Sequence, residues 1–91
     1  MRDTTKQSCA GRLKRIEGQV RGISRMIEED RYCIDILTQL RAVRAALRGV
    51  EDEVLGDHVE HCVEGAIRSG DAVEQRQKVK ELLEVLGRRD G

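Results

Sequence analysis

The sequence predicts an all-α fold: a protomer of three helices, short, long and short, that must pair with other chains to bury its apolar faces. Three observations carry that expectation. Apolar residues recur every three or four positions along the chain, which is the period of an amphipathic helix. Proline is absent from all 91 residues, so nothing forces an early helix end. The core is thin: there is no Phe or Trp, there is one Tyr, and 37% of the residues are charged. A chain of this length sits near the lower limit for a self-sufficient core, so a single domain over 1–91 built as an obligate oligomer is expected.

The first helix is read from Leu13, Ile16, Val20, Ile23 and Ile27, one heptad-like stripe. Thr5 or Ser8 is the expected start, with residues 1–7 disordered ahead of it. Those residues hold no apolar run, so neither a signal peptide nor a membrane segment is expected, and the cytosol is the expected compartment. The opposite face aligns Gly11, Gly18 and Gly22 with Lys14, Arg15, Arg21 and Arg25. Each glycine costs a helix about 1 kcal/mol relative to alanine, so something close should benefit, either a partner helix or a phosphate backbone. Asp30 reads as the cap of the long helix and places Cys33 in its first turn. Leu37, Leu40, Leu47, Val54, Leu55, His58 and Cys62 then share one side. Ser69-Gly70-Asp71 stops that helix, since Gly70 suits the left-handed position after a helix end. Asp71 with Glu74 restarts the chain as an aspartate variant of the capping box. Val79, Leu82, Leu83 and Leu86 mark the third helix.

Net charge is zero, but its distribution is uneven. Residues 1–50 hold 11 Lys/Arg against 6 Asp/Glu, and residues 51–91 hold 6 against 11. The halves therefore suggest either a basic face and an acidic one, or mutual attraction across an antiparallel pair. No glycine-rich phosphate loop, Ser-His-Asp constellation or poised carboxylate pair is present, so an enzyme is not expected. Zinc-finger and helix-turn-helix patterns and aromatic platforms are also missing. Nucleic-acid binding would thus rest on phosphate contacts and duplex shape.

Chemistry concentrates in Cys33, His58 and Cys62. His58 and Cys62 are four residues apart and share a face on an uninterrupted helix. Taking about 100° per residue, Cys33 lies within roughly 40° of both, but about 37 Å away along the axis. One chain cannot close such a site; an antiparallel partner can, by bringing its own Cys33 beside this chain's His58 and Cys62. That pairing puts the two-fold axis near residue 46 or 47, where Ala42, Ala45, Ala46 and Gly49 permit close approach. Two sulfurs and one imidazole suit Cu(I) or a thiol-based chemistry. A thiol in a first helical turn is also favoured as thiolate. Three cysteines in a reducing compartment point to free thiols or ligands. Cys9 has no evident partner, and His61 is directed about 100° away from Cys62.

The run Arg12-Leu13-Lys14-Arg15-Ile16-Glu17-Gly18-Gln19-Val20-Arg21-Gly22-Ile23, then Asp30-Arg31-Tyr32-Cys33, then His58 to Cys62 with Ser69-Gly70-Asp71, closely resembles the copper-sensitive operon repressor (CsoR) family. The likeness covers nearly the whole chain after its first eight residues. It implies an all-helical protomer, an antiparallel dimer whose helices form a four-helix bundle, and a homotetramer built from two dimers. It implies a repressor that binds operator double-stranded DNA when metal-free and releases it on binding Cu(I). Within the family, Cys, His and Cys at the places of Cys33, His58 and Cys62 form the copper pattern. Nickel and cobalt sensors place a histidine at the position of Cys62, and persulfide sensors lack the histidine found here as His58. The resemblance further assigns Tyr32 and Glu81, with Glu74 as a rival, to the shell around the metal ligands. It assigns Arg12, Lys14, Arg15, Gln19 and Arg21 to DNA contact, with Arg44 or Arg48 extending that face. Two other functions fit the same residues: a persulfide or redox sensor using Cys33 and Cys62, and a helical interaction module without a DNA role.

Overall fold

A computed structural model of the chain describes residues 1–88; the last three residues of the expected 1–91 domain lie outside the described residues. Helices α1 (Asp3–Glu28) and α2 (Cys33–His58) are followed by a π-helical turn (Val59–Val63), α3 (Glu64–Ser69) and α4 (Ala72–Arg88). The long middle helix of the sequence reading is thus α2, the π-turn and α3 in succession. Contacts gather into two compact units, residues 1–55 and 56–91.

In the first unit α1 is longer than expected. It begins at Asp3 behind Arg2, ahead of both Thr5 and Ser8, and runs for 26 residues through much of the segment expected to be disordered. Ser8 caps nothing; its hydroxyl donates to Glu53 on α2. The apolar stripe of α1 divides in two. Ile16 and Ile23 are buried against Val43, with Ile36, Ala46 and Val50 packed around them, whereas Leu13, Val20 and Ile27 stay about half exposed. On α2 the same division leaves Ile34, Leu37, Leu40, Leu47 and Val54 exposed.

The small residues of α2 are used differently from the sequence reading. Ala46 joins the α1-facing core, and a Cβ on Gly49 would lie 2.9 Å from the Arg12 guanidinium. These two positions therefore serve the packing of α1 on α2 within one chain; Ala42 and Ala45 remain exposed. On α1, by contrast, a Cβ at Gly11 or Gly22 would meet nothing within 4 Å.

Asp30 also departs from expectation. It takes a left-handed conformation (φ 54°) and closes α1 instead of opening α2. The Arg31 N–H donates to the Met26 carbonyl and the Asp30 N–H to the Ile27 carbonyl, the paired bonds of a Schellman ending. Aspartate tolerates this region better than most residues, which lets it take a glycine's usual role. Tyr32 stands just before α2, its carbonyl accepting from the N–H groups of Asp35 and Ile36.

In the second unit α4 packs on the π-turn and α3. Gly70 takes the expected left-handed φ of 72°. Asp71 Oδ1 accepts from the N–H groups of Val73 and Glu74 at 2.9 and 3.3 Å, capping α4 as predicted. The Asp71 N–H donates to Ser69 Oγ, whose single hydroxyl proton is shared between the Ala66 carbonyl at 2.7 Å and Glu74 Oε2 at 3.1 Å. Gln75 Nε2 reaches back to the Ile67 and Ala66 carbonyls at the end of α3, satisfying acceptors that the helix itself leaves open. Asp71→Ala is expected to cost about 1 kcal/mol, lowering the thermal midpoint by roughly 5 °C for a chain of this size. Scanning calorimetry would show it, and an unchanged midpoint would mean the cap is redundant.

Candidate metal and duplex-binding residues

Cys33 is the first residue of α2 and is exposed with a free thiol. Its place follows from the chain reversal just before it, where the α1 ending and the Tyr32 carbonyl leave Cys33 at a helix N-terminus. Tyr32 itself is 67% exposed. Cys62, also free and exposed, lies inside the π-turn. His58 closes α2 and is half-buried. Its neighbour Asp57, at 6% exposure, is the charged residue found buried among the described residues.

A π-turn that contains Cys62 stands where an uninterrupted helix was expected after His58. The Glu64 N–H donates to the Val59 carbonyl, five residues back, so the turn holds one residue more than an α-turn. Residues after it are rotated by about 100° relative to an unbroken α-helix. Such turns concentrate at functional sites, where they re-aim side chains. Among the described residues of a single chain, no three His, Cys, Asp or Glu side chains converge as a metal cluster.

Glu81 is half-buried on α4, where its carboxylate accepts from Gln77 Nε2 at 3.4 Å and pairs with Lys78 at 3.6 Å. Its rival Glu74 lies 3.1 Å from Ser69 Oγ at the start of α4.

The basic residues of α1 differ in their engagement. Lys14 and Arg15 are exposed. Arg21 makes only a 3.7 Å pair with Glu17, both side chains being about 70% exposed, a contact of little energetic weight. Gln19 is half-buried, and its Oε1 has no hydrogen-bond partner. Arg12 is committed: its Nε lies 2.6 Å from Glu53 Oε1. Gln7, Gly11, Arg12, Arg15 and Gln19 share the lining of one surface cleft. Sequence reasoning passed over Glu53 and Asp57, and gave Gly49 to a partner helix instead of to Arg12. Glu53 and Asp57 lie in an acidic run that reads as solvated surface, and Gly49 reads as a place for a partner helix.

Fold and residues together define a small helical protein with two exposed free thiols, an imidazole and a basic helix face, and no catalytic constellation among the described residues. The metal-sensitive transcriptional repressor model matches residues 5–88, and the chain belongs to that family, a family of repressors and not of enzymes. The chain is 55% identical over 80 residues to the copper-sensing transcriptional repressor CsoR of Bacillus subtilis (strain 168), covering 88% of this chain and 76% of that one. It is 58% identical over 65 residues to the copper-sensing transcriptional repressor RicR of Mycobacterium tuberculosis (strain ATCC 25618 / H37Rv), covering 71% and 68%. The crystal structure of the copper-sensing repressor CsoR with Cu(I) from Geobacillus thermodenitrificans NG80-2 matches with a TM-score of 0.89 and 44% identity, over 100% of this chain and 92% of that one. No helix among the described residues is long and apolar enough to cross a membrane.

Proposed function

We propose that this chain is a Cu(I)-responsive transcriptional repressor of the cytoplasm, binding operator double-stranded DNA when metal-free and releasing it when its thiol and imidazole donors are engaged. The observation that carries the reading is the donor set: two free, exposed thiols, Cys33 and Cys62, and one half-buried imidazole, His58. Cu(I) favours few and soft donors, and two thiolates with one imidazole meet that demand without a fourth ligand. Similarity to two relatives named as copper-sensing, and to a repressor solved with Cu(I), points the same way.

Cys33 of one chain, with His58 and Cys62 of a second, would hold the metal in an antiparallel dimer, two of which form the tetramer. What the metal supplies when bound is a tie between donors on two chains. His58 has a second ring nitrogen left to hydrogen-bond, and Glu81 or Tyr32 is its partner in this reading. Glu81 is the carboxylate this reading assigns, with Glu74 as its rival. Metal and duplex bind with opposite preference, so each weakens the other by the same factor.

The duplex side of the reading rests on α1. Lys14, Arg15 and Arg21, with Gln19, form its basic face, and open space above Gly11 and Gly22 lets a phosphate backbone approach. Lys14→Ala and Arg15→Ala are each expected to reduce the slope of log affinity against log salt by about one, with a similar loss on every duplex sequence. Unchanged slopes would move the interface off this face. The whole reading is tested by anaerobic titration of Cu(I) into reduced protein holding a labelled duplex, with anisotropy as readout. One Cu(I) per chain with loss of the duplex is expected. Tight Cu(I) binding with the duplex retained would sink the proposed coupling.

A further inference from the structure

We propose that Glu53, Arg12 and Ser8, closed over Gly49, form a clasp that sets how α1 lies on α2, and that Arg12 serves duplex binding by positioning the basic face instead of touching phosphate. The proposal rests on the DNA-binding reading above. All four residues lie in the 1–55 unit. Glu53 Oε1 accepts from Ser8 Oγ at 2.8 Å and from Arg12 Nε at 2.6 Å. Ser8 and Arg12 are one helical turn apart on α1, so two donors from one helix converge on a single oxygen of the other. That arrangement restrains both the rotation and the slide of α1.

A lone ion pair at a surface contributes little, but this one has a seat prepared for it. A side chain at position 49 would begin 2.9 Å from Arg12 Nη1, so only glycine lets the guanidinium rest against the α2 backbone. Glycine inside a helix is disfavoured relative to alanine, and here the missing side chain is what Arg12 occupies. Glu53 is the more sheltered member, its side chain 27% exposed against 50% for Arg12. Arg15, about one turn beyond Arg12 on α1, shares the cleft with Arg12 and Gly11, so a shift of α1 would carry the duplex-facing residues with it. An arginine already neutralised by a carboxylate adds little to counterion release, whereas one bound to phosphate contributes fully.

The test is a salt series of anisotropy titrations with metal-free full-length protein and a fluorescein-labelled duplex spanning the DNA upstream of the chain's own coding sequence. Wild type, Glu53→Gln, Gly49→Ala and Arg12→Ala are compared, with thermal midpoints measured in parallel. Both Glu53→Gln and Gly49→Ala are expected to weaken binding by about tenfold, the scale of losing one or two placed contacts, with the salt slope unchanged. Gly49→Ala should keep or raise the midpoint, because alanine favours the helix and the displaced atom is the tip of a flexible side chain. Weaker binding by a variant of undiminished stability is not explained by unfolding. The clasp is overturned if Glu53→Gln binds more tightly, as expected were Glu53 only a competitor for Arg12, or if Gly49→Ala binds as wild type. A slope reduced by about one in Arg12→Ala would likewise overturn it and make Arg12 a phosphate contact. Absence of salt-dependent binding by wild type would defeat the repressor reading itself, and the clasp's role with it; failure in the variants alone would defeat only the clasp.

Discussion

Cys33→Ala protein is expected to bind its operator duplex as wild type does and to keep it when Cu(I) is added. The thiol stands at the exposed first position of α2, away from Lys14 and Arg15 in sequence and outside the α1-facing core, so its loss should leave duplex affinity intact. Its removal takes away one of the three proposed donors. Removing even an outer partner of a metal ligand costs 10- to 100-fold in affinity, so loss of a direct donor should exceed roughly 100-fold. If Cu(I) binding opposes duplex binding by 2–3 kcal/mol in wild type, occupancy changes about 30- to 150-fold on metal addition. In the variant that change should vanish. Anisotropy with matched Cu(I) additions to both proteins would decide it, and copper-induced release from Cys33→Ala would remove Cys33 from the site. His58→Ala separates the metal reading from a purely thiol-based one. A sensor that bridges Cys33 and Cys62 needs no imidazole and would keep its response to polysulfide in that variant, whereas the copper response should be lost.

The asymmetric placement of these residues explains which parts of the molecule were legible in the sequence. Helical periodicity, the Gly70 stop and the Asp71 cap follow from local chemistry, and the structure has each of them. Asp30 was misassigned because aspartate is favoured both ahead of a helix and, less often, in the left-handed residue after one; the bonds from Arg31 and Asp30 back into α1 select the second role. The π-turn carries no local signature, since neither proline nor a distinctive run marks residues 59–63. An extra residue in a helical turn is settled by packing and function around it. Ala42, Ala45, Ala46 and Gly49 are spaced i, i+3, i+4 and i+7 and share one helix face, so spacing alone could not say whether that face meets α1 or a partner. The thiols and imidazole were the easier part, because their chemistry, unlike packing, is specific to residue type. Glu53 shows the converse: one carboxylate in an acidic run becomes distinctive only once α1 lies beside it.

Leu47→Glu is expected to abolish self-association and, with it, both metal and duplex binding. Ile36, Val43, Ala46 and Val50 of α2 are occupied by α1, yet Ile34, Leu37, Leu40, Leu47 and Val54 remain 38–53% exposed on the same helix. A row of that length left in water is the mark of an interface, and in the proposed antiparallel pairing of α2 with its copy Cys33 would meet the partner's His58 and Cys62. In that pairing the two-fold axis passes near residue 46 or 47, so each Leu47 meets its own counterpart. A glutamate there would place two carboxylates together in an apolar seam, where each must be desolvated without a partner. A penalty of about 3 kcal/mol, modest for such a change, already raises the dissociation constant more than 100-fold. Sedimentation at micromolar concentration should then show monomer, with reduced helicity by circular dichroism because the α2 face is no longer covered. Leu47→Met, which keeps the volume and apolar character, should remain associated. A Leu47→Glu chain that stays dimeric and still binds Cu(I) would place the partner elsewhere and leave the shared site without its geometry.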